Sequence, residues 1–209
     1  MTRKLFRSLL VLVLGLSAAG MASAQDSQTV VSRVEGQPML VRGGEKIPAT
    51  MGMTFQDTDT VQTNAGCQLD LSVNGMAGCR VLPSSEVSLA QVSGDDMRVE
   101  IKSGNAIFNL KKLPSQSTFR VETPTAVASV RGTQFWGRVD GAQTSPVTTF
   151  AVREGSVEIT AKAAGKTFIL EKGQALDIPM DAAAVPEVRP ALQEELDAMQ
   201  QASAILTSA

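Results

Sequence analysis

The sequence predicts an all-β fold, a jelly roll or an irregular β-helix-like sandwich of many short strands, followed by a C-terminal amphipathic helix. Two observations favour this fold. Glycine turns repeatedly precede short runs of alternating or β-branched residues, and turn residues separate the strand candidates at intervals of about 8–12 residues. No long helical pattern occurs before about residue 186. The glycine turns are unevenly spaced, which argues against a solenoid with a fixed repeat.

The chain begins with a pattern typical of a secretory signal peptide. Basic residues Arg3, Lys4 and Arg7 precede an apolar run, and the small residues Ala22-Ser23-Ala24 end it. We expect cleavage after Ala24 and a periplasmic or secreted protein that meets the membrane only through the transient signal peptide. The alternative is an uncleaved membrane anchor, but the apolar run is shorter than the ~20 residues that a spanning helix needs.

We expect one β-domain over residues 25–180 and a linker and helix over residues 181–209. Glycine turns lead into strands at Pro38–Val41, Ala106–Leu110, Val157–Ile159 and Ala175–Ile178. Further strands are predicted at Thr29–Val34, Thr60–Thr63, Gln68–Val73, Glu86–Leu89, Met97–Lys102, Thr118–Glu122, Ala126–Arg131, Gln134–Val139, Val147–Arg153 and Thr167–Leu170.

The segment after Pro190 has the periodicity of an amphipathic helix that runs to about Leu206. Leu192, Leu196, Met199 and Leu206 share one of its sides, and Pro190 suits its first turn. We expect the helix to pack this apolar stripe on the β-domain. A helix that docks a partner or mediates oligomerisation is the alternative.

Composition excludes several classes of function. Removing the signal peptide takes away three basic residues and no acid, so the net charge changes from −2 to −5. A negative net charge disfavours binding to nucleic acid or to an anionic membrane. The chain has no histidine and no tyrosine, so the commonest general base and the usual nitrogen metal ligand are missing. We expect no cofactor and no metal.

Cys67 and Cys79 are the two cysteines of the chain. In an oxidising compartment, their spacing of twelve residues suits a disulfide that closes a loop or hairpin, worth up to ~3 kcal/mol. The alternative is a pair of separate buried thiols. A zinc site is disfavoured because two thiolates without histidine leave a tetrahedral site half filled.

The most specific stretch of the sequence runs from Phe119 to Phe135 and contains Thr123-Pro124-Thr125-Ala126 and Val130-Arg131-Gly132-Thr133. Glu154-Gly155-Ser156-Val157 follows some twenty residues later. This pattern closely resembles the FecR-like domain family, with its TP-x-A segment, its VRGT-x-F segment and a later EG-x-V turn. Leu82–Val87 and Ser103–Ala106 also stand in family order. The resemblance covers roughly residues 30–178.

Most of these motif residues are expected to be structural. Pro124 marks the start or edge of a strand, because proline has no amide hydrogen. After it, Ala126, Ala128 and Val130 alternate with Val127, Ser129 and Arg131, so one face of the strand is small and apolar. Gly132 allows a sharp bend or a close approach of two strands. Arg131 then satisfies nearby carbonyls or pairs with Glu154 or Glu122. The alternative is a ligand surface that includes Arg131 and Thr133.

The resemblance implies a domain and a side of the membrane rather than a signalling task. The family's regulators of sigma factors resemble membrane-crossing proteins with a cytoplasmic segment, whereas only seven residues precede the apolar run here. We therefore expect no contact with a sigma factor. The leading hypothesis is a non-catalytic module that binds an unidentified envelope protein, in signalling or assembly.

Two other functions remain as alternatives. One is a β-domain that binds a glycan or a small ligand, for which Trp136 is the candidate surface aromatic; core packing is its alternative role. The other is a histidine-free carboxylate hydrolase. Asp57 with Asp59 and Asp95 with Asp96 are its candidate carboxylate pairs, but their spacing does not rise above background.

Overall fold

The computed structural model describes residues 28–92, 95–181 and 186–203. The strands are β1 (Thr29–Glu35), β2 (Met39–Arg42), β3 (Glu45–Pro48), β4 (Thr60–Gln62), β5 (Gln68–Val73), β6 (Ala77–Val81), β7 (Glu86–Gln91), β8 (Asp96–Leu110), β9 (Thr118–Glu122), β10 (Ala126–Val130), β11 (Gln134–Asp140), β12 (Val147–Glu154), β13 (Ser156–Ala161), β14 (Lys166–Glu171), β15 (Gln174–Pro179) and β16 (Val188–Pro190); helix α1 spans Gln193–Gln201. The predicted all-β fold with a C-terminal helix is confirmed. The signal peptide lies outside the described residues.

The strands form two sheets that share the long strand β8. The front sheet has the order β1-β5-β6-β8-β11-β12-β15-β16, and it uses the second half of β8. The back sheet has the order β3-β2-β4-β7-β8-β9-β10-β13-β14, and it uses the first half. The pairing of β8 with β9 is parallel, whereas the other pairings within the two sheets are antiparallel.

The predicted turn at Ser103-Gly104-Asn105 is instead a bend inside β8. Gly104 has a φ of +75°, and a Cβ atom there would lie 2.5 Å from the Ser84 carbonyl oxygen. The Ser85 hydroxyl accepts the Asn105 amide hydrogen at 2.8 Å. The chain therefore changes sheet at a glycine because the segment around Ser85 crosses directly over it. A sequence pattern of glycine between two strands does not distinguish this crossover from a hairpin turn.

The main core lies between the two sheets and is built by residues that alternate along their strands. Phe108 and Phe135 of the front sheet stack with their ring centroids 4.9 Å apart. Phe119 of the back sheet meets Phe108 edge-on at 5.9 Å. All three rings are almost fully buried. Ala126 and Val130 of β10 face the same core, as the alternation in the sequence predicts.

Helix α1 lies on the outer face of the front sheet. Met199 and Ala202 are buried there against Ile107 and Trp136. Three side chains of the sheet donate hydrogen bonds to carbonyls at the end of the helix: Arg80 to Gln201 (3.1 Å), Gln134 to Met199 (2.7 Å) and Asn109 to Ser203 (3.2 Å). This confirms that the helix packs on the β-domain. In the described part of the chain, no helix has the length and apolar character that a membrane crossing requires.

The start of the helix differs from the prediction. Pro190 belongs to strand β16 and not to the first helical turn, because the chain first adds a short strand beside β15. Leu192 is half exposed and precedes the helix. Glu195 is buried and accepts the Leu192 amide hydrogen at 2.7 Å. Leu206 lies outside the described residues.

Candidate functional site

The Thr123-Pro124-Thr125-Ala126 segment forms the tight turn between β9 and β10. Its threonine hydroxyls form a buried chain with Thr148 of β12: Thr125 donates to Thr148 at 2.6 Å, and Thr148 donates to Thr123 at 2.8 Å. Thr123 in turn accepts the Ala126 amide hydrogen at 3.0 Å. The turn therefore links the back sheet to the front sheet through hydroxyls that all have partners. This is a structural role for the first half of the motif.

The second half of the motif holds two turns against each other. The Thr133 hydroxyl donates to the Ser156 carbonyl at 2.9 Å. Gly155 has a φ of +80°, and a Cβ atom there would lie 2.8 Å from the Gly132 carbonyl oxygen. Gly132 itself has a φ of +145°, and its Cβ would lie 3.0 Å from Cα of Lys112. Both glycines are needed because backbones pass too close for a side chain. Thr133 is structural and not part of a ligand surface.

The pairing predicted for Arg131 is wrong. Glu154 pairs with Arg153 at 2.9 Å, and Glu122 pairs with Arg98 at 3.3 Å. The Arg131 carbonyl accepts the Leu113 amide hydrogen at 3.1 Å, so its backbone is fixed. Its side chain is exposed and has no ion pair among the residues that the structure describes.

Arg131 lines a cavity of ≈ 360 Å³ on the outer face of the back sheet. Ser129 lies at its centre, because the register places this residue opposite Arg120 of β9 on one side and opposite Glu158 of β13 on the other. Its remaining lining residues are Thr118, Phe119, Val130 and Ser156. We call this site the back-sheet cavity.

The alternation of the motif predicted which of its residues share a face of the sheet. Ser129 and Arg131 occupy alternate positions of the motif, so the sequence placed them on one face, opposite the buried Ala128 and Val130. No local pattern indicated that Glu158 lies on this face beside them. Its contribution depends on the pairing of β10 with β13, which joins residues almost thirty positions apart.

Arg120 is held in place at one side of the cavity. Its guanidinium lies 3.1 Å from the carboxylate of Asp96. The Asp96 carboxylate also accepts a hydrogen bond from the Thr118 hydroxyl. That hydrogen bond and the positive charge of Arg120 lower the pKa of Asp96. The carboxylate therefore stays ionised and orients the arginine toward the outer face.

The candidate surface aromatic is not on the surface. Trp136 is only 6% exposed and lies beneath helix α1 in the smaller apolar cluster. The Arg138 guanidinium covers its ring at 5.6 Å from the ring centroid. Alternation along β11 places Trp136 on the face opposite Phe135, and α1 covers that face. The prediction of a surface aromatic is wrong, and core packing is the correct alternative.

The candidate carboxylate pairs have structural roles. Asp59 is buried and pairs with Arg42 at 2.6 Å. Asp57 accepts the Val92 amide hydrogen at 2.7 Å. Asp95 accepts a hydrogen bond from the Ser117 hydroxyl. Among the described residues, no group of three or more acidic or cysteine side chains could hold a metal ion.

Arg189 connects strand β15 to the start of helix α1 through two carboxylates. Arg189 lies 2.7 Å from Asp177 of β15 and 2.8 Å from Glu195 of α1. Asp177 also accepts a hydrogen bond from Thr149 at 2.7 Å. The hydrogen bond from Arg189 is the main cause that lowers the pKa of Asp177, although partial burial opposes it.

The predicted disulfide between Cys67 and Cys79 is wrong, because both thiols are free and buried. The β5–β6 register pairs Cys79 with Leu71, which lies four residues from Cys67, or about 13 Å along an extended strand. A disulfide needs Cα atoms about 4.4–6.8 Å apart. The Cys67 sulfur instead accepts the Gln37 amide hydrogen at 3.3 Å. Burial raises the pKa of Cys79 far above its ordinary value.

A protein-family model described as FecR protein matches residues 59–158. This range includes the whole motif segment and is narrower than the range that the resemblance suggested. Two crystal structures of a candidate anti-sigma factor from Parabacteroides distasonis ATCC 8503, at 2.50 Å and 1.65 Å resolution, have a similar fold, each with a TM-score of 0.56 and 18% sequence identity.

Each structural similarity covers 68% of this chain and 64% of the other chain. This chain therefore spans less than two thirds of the length of those relatives, and at this identity the likeness concerns the fold. No curated protein matches this chain.

Proposed function

We propose that this chain, whose residues 59–158 form a FecR-family domain, is an exported, non-catalytic module that binds another protein of the cell envelope. One observation carries the proposal. The motif segment has buried structural roles along most of its length, yet Ser129 and Arg131 line the back-sheet cavity. That cavity lies on an exposed sheet face, whereas helix α1 covers the corresponding face of the front sheet.

The properties of the cavity favour binding over catalysis. Arg120 is oriented by Asp96, and among the described residues the Ser129 hydroxyl donates no hydrogen bond to a carboxylate, which is the contact that activates a serine nucleophile. The two carboxylate pairs considered for hydrolysis hold loops and arginines instead. The buried position of Trp136 removes the aromatic platform on which glycan binding depended. Signalling or assembly in the envelope is therefore the role that we propose, with no cofactor.

Export is the first part to test. Amino-terminal sequencing of the protein from its natural host should begin at Gln25, the residue after the predicted cleavage site at Ala24. Full-length chain in the membrane fraction would overturn this part of the proposal.

Protein binding at the back sheet is the second part to test. A photo-crosslinking amino acid at position 129 should capture a discrete envelope protein in intact cells. The matched control is the same amino acid at position 200, because Gln200 is exposed on α1 above the opposite sheet. Equal capture at both positions, or none at position 129, contradicts the proposed binding face.

The partner in this proposal is an envelope protein and not a sigma factor. The anti-sigma description belongs to the structural relatives, which share the fold at 18% identity. A sigma factor captured at position 129 would therefore contradict this part of the proposal. The non-enzyme part fails if the purified chain hydrolyses a glycan or peptide and one carboxylate substitution abolishes that activity.

A further inference from the structure

The outer face of the back sheet carries charges in rows that cross the strands. Register places Arg98 beside Arg120, and Glu100 beside Glu122, on the parallel strands β8 and β9. Like charges directly opposite each other destabilise a sheet unless diagonal partners compensate them. The diagonal pairs here are Arg98 with Glu122 and Arg120 with Asp96. Both arginines of this part of the face therefore have an acidic partner on β8 or β9.

The next strands leave their charges unsatisfied. Arg131 and Glu158 line the same cavity and have opposite charges, yet no ion pair joins them. Neither side chain has another partner among the described residues, and the hydroxyls of Ser129 and Ser156 also make no hydrogen bond there. The backbone positions differ by one strand and two residues, or roughly 8 Å.

We propose that the back-sheet cavity binds an extended peptide segment that carries an acidic and a basic side chain two residues apart. The acid binds to Arg131, and the base binds to Glu158. Alternate residues of an extended peptide point to the same side about 7 Å apart, which is close to the separation of the two backbone positions. This inference names the chemistry of the partner and rests on the proposed function.

Shape and charge both support a peptide as the occupant. The cavity volume of ≈ 360 Å³ lies within the range of about 300–1,000 Å³ that ligand sites occupy. The side chain of Ser129 is small, so it leaves open the space between the longer side chains of Arg120 and Glu158. The free hydroxyls of Ser129 and Ser156 can bind the backbone of a peptide that crosses the strands.

Nuclear magnetic resonance titration tests the inference directly. The probe is the peptide acetyl-Thr-Asp-Val-Lys-Thr-amide, and its neutral counterpart has asparagine and glutamine in place of the two charged residues. The ¹⁵N-labelled chain from Gln25 onward should show shifts at the amides of Ser129, Arg131 and Glu158 with millimolar charged peptide. The neutral peptide should bind about four- to twenty-five-fold more weakly, since each of the two exposed charge pairs contributes about two- to fivefold.

Charge-neutral variants assign the two ends of the site. Arg131→Gln and Glu158→Gln should each weaken binding of the charged peptide about two- to fivefold. Lys172→Gln is the matched control, because Lys172 is exposed between β14 and β15 and does not line the cavity. It should leave the dissociation constant unchanged, and all three variants should keep the melting temperature of the wild type.

Three results would overturn the inference: no amide shift at the cavity with millimolar charged peptide, equal binding of the neutral peptide, or equal binding by Arg131→Gln and Lys172→Gln. Failure here is distinguishable from failure of the proposed function. Crosslinking at position 129 that is as strong in Arg131→Gln as in the wild type removes this inference and leaves the function. Specific peptide binding without any crosslinked envelope protein removes the function and leaves the chemistry of the cavity.

Discussion

Replacing Gly132 with valine should destabilise the protein through two separate effects. The φ of +145° at this position is rarely adopted by residues with a side chain, and such strain costs about 1–3 kcal/mol. The new Cβ would also lie 3.0 Å from Cα of Lys112, a backbone atom that cannot rotate away. Crowding of this kind costs about 1–3 kcal/mol more. The expected loss of unfolding free energy is therefore about 2–6 kcal/mol.

Two control variants separate these effects. Gly165→Val has the strain without the contact, because Gly165 has a φ of +62° and a Cβ atom there would meet no heavy atom within 4 Å. It should lose only about 1–3 kcal/mol. Arg131→Ala removes an exposed side chain that has no ion pair with any described residue, and it should change the stability by less than about 0.5 kcal/mol.

Urea unfolding at equilibrium measures all three variants on one scale. For a domain of this size, the expected loss in Gly132→Val corresponds to a fall in melting temperature of about 4–24 °C. If Gly132→Val is no less stable than Gly165→Val, the close approach to Lys112 makes no contribution. If it is as stable as the wild type, the reasoning from φ is also refuted.

Three other predictions concern the thiols and the helix. Cys67 and Cys79 should resist alkylation in the native protein, and both should react after unfolding without reductant. An intact mass about 2 Da below the reduced value would instead prove a disulfide. Met199→Ala should cost about 2–5 kcal/mol and shift the fluorescence of Trp136, the single tryptophan, to longer wavelength as α1 loosens; an unchanged urea midpoint would contradict the packing of α1. The pKa of Asp177 is lowered in the folded protein, so its ionised carboxylate stabilises the fold at pH values above the unfolded pKa of about 3.9. This contribution is lost as the pH falls through the folded pKa. Asp177→Asn should therefore lower the urea midpoint at pH 7 and have a smaller effect near pH 3. Equal effects of Asp177→Asn at both pH values would contradict a stabilising ion pair between Asp177 and Arg189.

Most strands were predictable because their signal is local. Period-2 alternation located β5 and β9 with the bounds that the structure has. The strands that escaped prediction lack this signal: β3 and β16 are short and mostly exposed, and β6 has the sequence Ala-Gly-Cys-Arg-Val, in which every residue is buried. Strand β6 has no exposed polar positions that would alternate with buried ones. Its one charged residue, Arg80, is buried beneath α1, where it pairs with Asp70 at 2.7 Å.

The candidate site was also predictable only where its signal is local. The sequence identified the motif, the structural need for Gly132 and the shared face of Ser129 and Arg131. It did not identify Glu158 as a neighbour of this face, or the lack of an ion pair between Arg131 and the described acids, since both depend on which strands become neighbours. For the same reason, it could not place Trp136, whose exposure is decided by a helix more than fifty residues later in the chain.

By itself, the sequence determined the all-β class, the C-terminal helix and the family motif, because turns, alternation and helical periodicity act over a few neighbouring residues. Only the tertiary structure decided that the two cysteines lie apart, that β8 serves two sheets, and that Arg131 and Glu158 face one cavity without pairing. These properties depend on strand register and on long-range packing. A shift of one residue in the register of a strand would turn each of its side chains to the opposite face of the sheet.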